Sequence, residues 1–369
     1  MEKDRILIVC TTDSMIWNFL MPHIDELKKR GHDVECACSE TGFYYSELQK
    51  KGYELNKIGF TRSPLSKDNA KAYKELKKLI KEKDFNIVYC HEPVGGMMGR
   101  LAGWICKKTV VYMSHGFHFF SGAPLKHWLF YYTAEWFMSF ITDAIITINK
   151  EDYSRACKMH ADRNYYVHGI GIQPGKNNTS KDRDTVRKEL ELSSYDKVLI
   201  SIGELSTRKN HQIVLRAMNQ TPDDTIKLII CGEGELEDEL KNLASELGLQ
   251  SRVKFTGFVR NVADYIAASD AMVLPSLWEG LGLVGLEALQ MGVPVIGAKR
   301  QGIKDYVIEG ETGYLFDPAR ADDLADKLTR LFEEECLQEQ RQKMIDMASA
   351  YNMESVLKDF DPIYEKEFR

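Results

Sequence analysis

The chain has 369 residues, too many for one ordinary hydrophobic core and suited to two domains of the usual size. With 44% hydrophobic and 28% charged residues and no low-complexity tract, it is not a disordered polymer. A net charge of −6 hides an asymmetry: residues 1–175 carry 24 Lys and Arg against 20 Asp and Glu, so the remainder is acidic, and no nucleic-acid partner is expected.

Short β-branched runs alternate with longer helical patterns throughout, the signature of βα units and parallel sheets. The first run, Ile6–Cys10, follows Met1-Glu2-Lys3-Asp4-Arg5, a start without the length or the cleavage site of a signal peptide. No later stretch reaches the roughly 18 apolar residues that span a bilayer, so a cytoplasmic protein is expected. Eight cysteines without C-x-x-C spacing read as small buried hydrophobes in a reducing compartment, where the sequons at Asn177 and Asn178 have no meaning.

In the first half the expected strands are Ile6–Cys10, Val34–Cys38, Ile87–Cys90, Val110–Met113 and Ile145–Ile148. Cations and a glycine close the helix before the second strand at Leu27–Gly31, a device repeated at Leu48–Gly52 and Ala288–Gly292. Lys71, Lys74, Lys77, Lys78 and Lys81 recur along one helix, either as a solvated face or as a contact for a membrane surface or lipid phosphate. The run Leu125–Ile141, rich in Trp, Phe and Tyr, is apolar nearly all round a helix. Core packing is expected of it, ahead of a membrane-facing or lipid-holding patch edged by Lys126 and His127.

Between Gly169 and Asp184 the composition shifts to Gly, Pro, Asn, Ser, Thr and Lys. That places a linker at 173–184, between a domain of residues 1–172 and another of residues 185–349. In the second domain the expected strands are Val198–Ile202, Lys227–Cys231, Val253–Thr256, Ala271–Leu274 and Pro294–Gly297, and a C-terminal helix of about 350–369 is expected to cross back to the first domain. Two open doubly wound sheets follow, with ligands beyond the carboxyl ends of their strands.

Five loops after strands carry candidate chemistry. Gly203-Glu204-Leu205-Ser206-Thr207-Arg208-Lys209-Asn210 offers Arg208 as a planar fork and Lys209 as a point charge for a diphosphate. Cys231-Gly232-Glu233-Gly234 is a tight turn that lacks the third spaced glycine of a dinucleotide fingerprint. In Ser276-Leu277-Trp278-Glu279-Gly280-Leu281-Gly282-Leu283, a strand runs through a glycine-rich loop into a helix whose free N–H groups at Gly280–Leu283 suit an anion. Glu279 precedes this turn and Glu287 lies eight residues on, so both carboxylates can reach toward sugar hydroxyls at different depths. In the first domain Cys90-His91-Glu92 and Ser114-His115-Gly116-Phe117-His118 follow strands, and His115 is the stronger candidate of the histidines. Asp182-Arg183-Asp184 and Asp359-Phe360-Asp361 match a metal-holding Asp-x-Asp pattern, yet neither follows a strand, and no obligatory metal is expected.

These motifs resemble those of glycosyltransferase family four, retaining enzymes of the GT-B fold, over nearly the whole chain. The matches are Glu-x7-Glu at Glu279 and Glu287, Arg208-Lys209, His115-Gly116 and Phe255-Thr256-Gly257-Phe258. The chain is similar above all to the bacterial exopolysaccharide and capsule branch, through Cys90–Gly96, His115–Phe119 with Gly122-Ala123-Pro124, Ile146–Tyr153 and His168–Ile172. Thr11-Thr12-Asp13-Ser14-Met15 stands where that family has a loop with two glycines.

The resemblance implies two Rossmann-like doubly wound α/β domains facing across a cleft, the first for the acceptor and the second for a nucleotide-sugar donor, with UDP as the expected nucleotide. Arg208 and Lys209 would bind the diphosphate, Glu287 the ribose, Glu279 the donor sugar and the backbone around Phe258 the base. Gly203, Glu204, Gly232, Gly280, Leu281, Gly282 and Leu283 complete the donor-site candidates; His115 would sit by the transferred sugar. Ser14, His91, His115 and Phe117 are the acceptor candidates. The acceptor is expected to be a saccharide, lipid-linked through polyprenyl diphosphate, met at the inner face of the plasma membrane. Two alternatives stay open: a UDP-sugar epimerase of similar fold, and a non-catalytic nucleotide-sugar-binding subunit.

Overall fold

The computed structural model describes residues 4–63, 66–173, 175–333 and 339–368. Met1–Lys3, Pro174 of the expected linker and Arg369 of the expected C-terminal helix lie outside the described residues. The chain forms two compact units: Met1–Gly171 with Met353–Arg369, and Ile172–Asn352.

The first unit holds β1 (Arg5–Thr12), β2 (Asp33–Ser39), β3 (Glu54–Lys57), β4 (Ile87–His91), β5 (Thr109–Ser114), β6 (Ala144–Thr147) and β7 (Arg163–Tyr166). They form one sheet in the order β3-β2-β1-β4-β5-β6-β7, every neighbouring pair parallel. The inner strands are covered on both faces, which is why they read as unbroken apolar runs. Strand order reverses between β1 and β4, the point at which open parallel sheets of this kind bind ligands. The helix Pro93–Ile105 crosses that point closely: a Cβ on Gly95 would lie 2.7 Å from Thr11 N. The glycine needed for close approach sits on this helix instead of in the Thr11–Met15 loop.

The helix Met353–Glu367 completes this unit from the far end of the chain. Phe360, Ile363, Tyr364 and Phe368 are buried, the Tyr364 hydroxyl donates to His23 Nδ1 (3.0 Å), and Glu367 accepts from the Tyr165 hydroxyl (2.6 Å) and Arg163 Nη2 (2.7 Å). Asp361 pairs with Arg30 and Asp359 with His168, while Asp182 caps the helix Arg183–Glu189 by accepting from Thr185 N (2.7 Å). These are structural roles for three aspartates of the two Asp-x-Asp matches.

Core packing accounts for only one side of residues 125–141. One helical rod runs through Leu125–His127, a π-helical turn at Trp128–Tyr132, and Thr133–Ser139. Trp128, Tyr131 and Tyr132 pack inward, but Leu125 (83% exposed), Leu129 (77%) and Phe137 (61%) face outward with Phe130 and Phe140. A segment apolar nearly all round hides which side is covered, because periodicity fades when both sides are apolar.

The second unit holds β8 (Lys197–Ile202), β9 (Ile226–Cys231), β10 (Val253–Gly257), β11 (Ala271–Leu274), β12 (Val295–Ala298) and β13 (Gly313–Phe316). Its all-parallel order, β10-β9-β8-β11-β12-β13, reverses between β8 and β11. The loops carrying Arg208-Lys209 and Glu279 follow the two strands that flank this reversal.

Candidate active site

The two loops are tied together by their backbones. Leu277 N donates to Arg208 O (2.8 Å), and Asn210, in the left-handed conformation at φ 56°, donates through Nδ2 to Pro275 O (3.3 Å) and Pro318 O (3.1 Å). Asn tolerates this conformation better than most side chains, so Asn210 fixes the turn from which Lys209 projects. Nothing in the sequence pattern singled it out beyond its place after the cation pair.

Arg208 Nη1 (3.0 Å) and Lys209 Nζ (2.9 Å) both donate to Glu279 Oε2. Lys209 and Glu279 are mostly buried and Arg208 is about one-third exposed. Burial alone would raise the Glu279 carboxyl, but Lys209 and Arg208 outweigh it and hold the group below its usual value, so it is a carboxylate at neutral pH. The sequence placed this carboxylate against sugar hydroxyls; the structure turns one of its oxygens to the cations instead. The Lys209 stem lies across Gly203, where an added Cβ would stand 3.1 Å from Lys209 Cε.

Gly282 starts the helix Leu283–Gln290 at φ 74°, and a Cβ there would meet Leu274 Cδ2 at 2.8 Å and Glu279 Cγ at 3.1 Å. The buried Tyr306 hydroxyl donates to Gly282 O (3.1 Å) and holds the turn from behind; sequence reasoning passed over it because it stands 24 residues away. Gly280 and Leu281 complete this turn ahead of Leu283. Glu287 lies four residues into this helix, about 6 Å along its axis from Leu283. Burial raises its carboxyl, partly offset by Lys176. Gly232 packs on Gly203, Glu204 is exposed, and Phe258 is 73% exposed with its N–H donating to Glu233 Oε1 (3.3 Å).

In the first unit the loops after β1, β4 and β5 meet. Glu92, at φ 61°, reaches across the strand reversal and accepts from Thr11 N (2.7 Å) through Oε2. Burial raises its carboxyl, against the opposing effect of the Thr11 and Thr12 N–H groups. Ser14 Oγ lies 2.8 Å from Thr12 Oγ1. His91 Nδ1 lies 3.0 Å from His115 Nε2, and burial pushes both imidazoles down, His115 to about 3, so both rings are neutral. His91 is 0% exposed, and Phe117 is buried in a stack on Phe119. Both side chains are thus buried, and Phe117 lines the cavity that His115 borders. His115, half-buried, borders a cavity of about 150 Å³ shared with Glu92, Tyr112, His118, Tyr131 and Glu135.

Known proteins agree with this architecture. Residues 182–350 match the model for glycosyl transferases group 1, and residues 5–149 match the model for glycosyl transferase 4-like domains. EpsD of Bacillus subtilis (strain 168) is 32% identical over 338 residues, 89% of this chain and 87% of that one. The UDP-Gal:alpha-D-GlcNAc-diphosphoundecaprenol alpha-1,3-galactosyltransferase of Escherichia coli is 29% identical over 321 residues, 83% of this chain and 81% of that one. HepE of Anabaena, solved in complex with UDP and glucose, superposes with a TM-score of 0.81 at 18% identity, over 98% of this chain and 99% of that one, which shows the same GT-B fold. With sequence models covering both units and a relative aligned across most of its length, the chain belongs to the GT-B glycosyltransferases, group 1 with a family 4-like first domain.

Proposed function

We propose that this glycosyltransferase moves a sugar from a UDP-sugar to a saccharide linked to polyprenyl diphosphate, with retained anomeric configuration, in exopolysaccharide or capsule assembly. The observation that carries the reading is the convergence of Arg208, Lys209 and Glu279 beside the Gly280–Leu283 turn. As the bond to UDP breaks, negative charge grows on the leaving oxygen, and the two cations with the helix end stabilise it. Glu279 Oε2 holds the cations side by side against their mutual repulsion, and the rest of the carboxylate receives a hydroxyl of the transferred sugar. Glu287 binds the ribose, the backbone near Phe258 binds the base, and the second unit is the donor domain. The first unit takes the acceptor, with His115 beside the transferred sugar, Ser14 at the loop after β1, and the departing phosphate accepting the acceptor proton.

The UDP donor is supported by the complex of HepE with UDP and glucose, and the lipid-linked acceptor by the activity named for the Escherichia coli relative. The outward side chains Leu125, Leu129 and Phe137 support contact with the membrane that would hold such an acceptor. No helix among the described residues is long and apolar enough to cross it.

The test is incubation of the purified protein with a panel of UDP-sugars and a polyprenyl diphosphate-linked saccharide, with products read by mass spectrometry. Growth of the acceptor by one sugar is expected. Conversion of the UDP-sugar without acceptor would instead support an epimerase, and no turnover with any donor would point to a non-catalytic subunit.

A further inference from the structure

His91 and His115 stand at the ends of neighbouring parallel strands, β4 and β5, with His91 opposite Met113 in the register. Their rings face each other at 5.3 Å between centroids, and one hydrogen bond joins them, His91 Nδ1 to His115 Nε2 at 3.0 Å. Of two neutral imidazoles in such contact, one must donate and the other accept. Which does so is decided by the far nitrogen of the buried ring.

His91 is fully covered, its other face against the Tyr89 ring at 4.3 Å, and its Nε2 has no protein partner among the described residues. If His91 carried its proton on Nε2, that N–H would be a buried orphan donor, the costlier of the two unsatisfied states. If it carries the proton on Nδ1, only a lone pair is left facing the apolar interior, and the N–H meets His115. The second arrangement fixes the other ring as well: His115 Nε2 is the acceptor, so its proton resides on Nδ1. Among the described residues the His115 ring has no hydrogen bond besides this one.

We propose that His91 is a positioning residue that locks His115 in the Nδ1–H tautomer, so that the exposed side of His115 presents a donor, not an acceptor, to an oxygen of the bound sugar. Free imidazole in water favours the Nε2–H form, so the locked tautomer is a property the protein imposes. The proposal rests on the reading that His115 meets the transferred sugar, but its first test does not.

That test is nitrogen NMR of the full chain labelled with 15N-histidine near pH 7, the His115 signals being identified by their loss in His115→Gln. A protonated Nδ1 with an unprotonated Nε2 on His115 is the expected result, and a protonated Nε2 would overturn the proposal. His91→Phe should return His115 to the Nε2–H form, whereas His91→Asn, whose amide Nδ2 stands near the place of Nδ1, should keep it. In turnover, His91→Phe should lower kcat by about 10–100-fold with little change in the donor KM, the scale of losing an outer partner of a working group. His91→Asn should recover most of it. Equal damage in both variants would assign His91 a packing role only, against the proposal. Should no donor be turned over at all, the glycosyl-transfer reading fails while the NMR result still decides the tautomer; should His91→Phe not fold, the wild-type spectrum and His91→Asn decide it.

Discussion

Glu279 Oε2 carries hydrogen bonds from two cations that would repel each other without it. Replacement by Ala would remove the proposed sugar contact and the carboxylate that Arg208 and Lys209 share, and Lys209→Ala would remove one charge from the proposed diphosphate site. Each is expected to lower transfer by about 100-fold or more, the scale of losing one transition-state contact. Steady-state rates of the purified variants check this, and near-normal turnover by both would refute the roles. The sequence made these three residues visible because they sit in loops directly after strands, next to glycines. It could not show that they touch one another, since 70 residues separate Lys209 from Glu279. Nor could it show that His91 and Phe117 are buried, because a residue at a strand end can face either solvent or the core.

At the scale of elements, the outward row Leu125, Leu129, Phe137 and Phe140 sets apolar surface against water along more than three helical turns. Substituting Leu129→Ser with Phe137→Ser should leave thermal stability within about 0.5 kcal/mol, since neither residue is in the core. The same pair should weaken sedimentation with anionic phospholipid vesicles; unchanged sedimentation would remove the membrane contact from the proposal. Legibility at this scale followed burial. The inner strands were readable, whereas β3 (Glu54–Lys57), β7 (Arg163–Tyr166) and β13 (Gly313–Phe316) were not. All three are edge strands of four residues; β3 and β7 are only partly covered and carry no apolar run, while the three apolar residues of β13 are too short a run to mark a strand.

For the whole molecule, buried histidines set the response to acid. Burial lowers His23, His91, His115 and His211, the last to about 4, from an ordinary value of 6.5. Below pH 6.5 the unfolded chain takes up protons that the folded chain refuses. Stability is then lost as pH falls, by up to about 1.4 kcal/mol per pH unit for each such group. Calorimetry should find the melting temperature falling steadily from pH 6.5 to pH 4, and a flat profile would contradict these environments.

Because Met353–Glu367 supplies Phe360 and Tyr364 to a core otherwise built from residues before 172, the order of completion is reversed relative to synthesis. A ribosome delivers all of β8 to β13 before it releases the last wall of the first unit. The later half can thus reach its native form while the earlier half still waits, and a nascent chain halted near residue 350 would expose an unfinished amino-terminal half to chaperones and proteases.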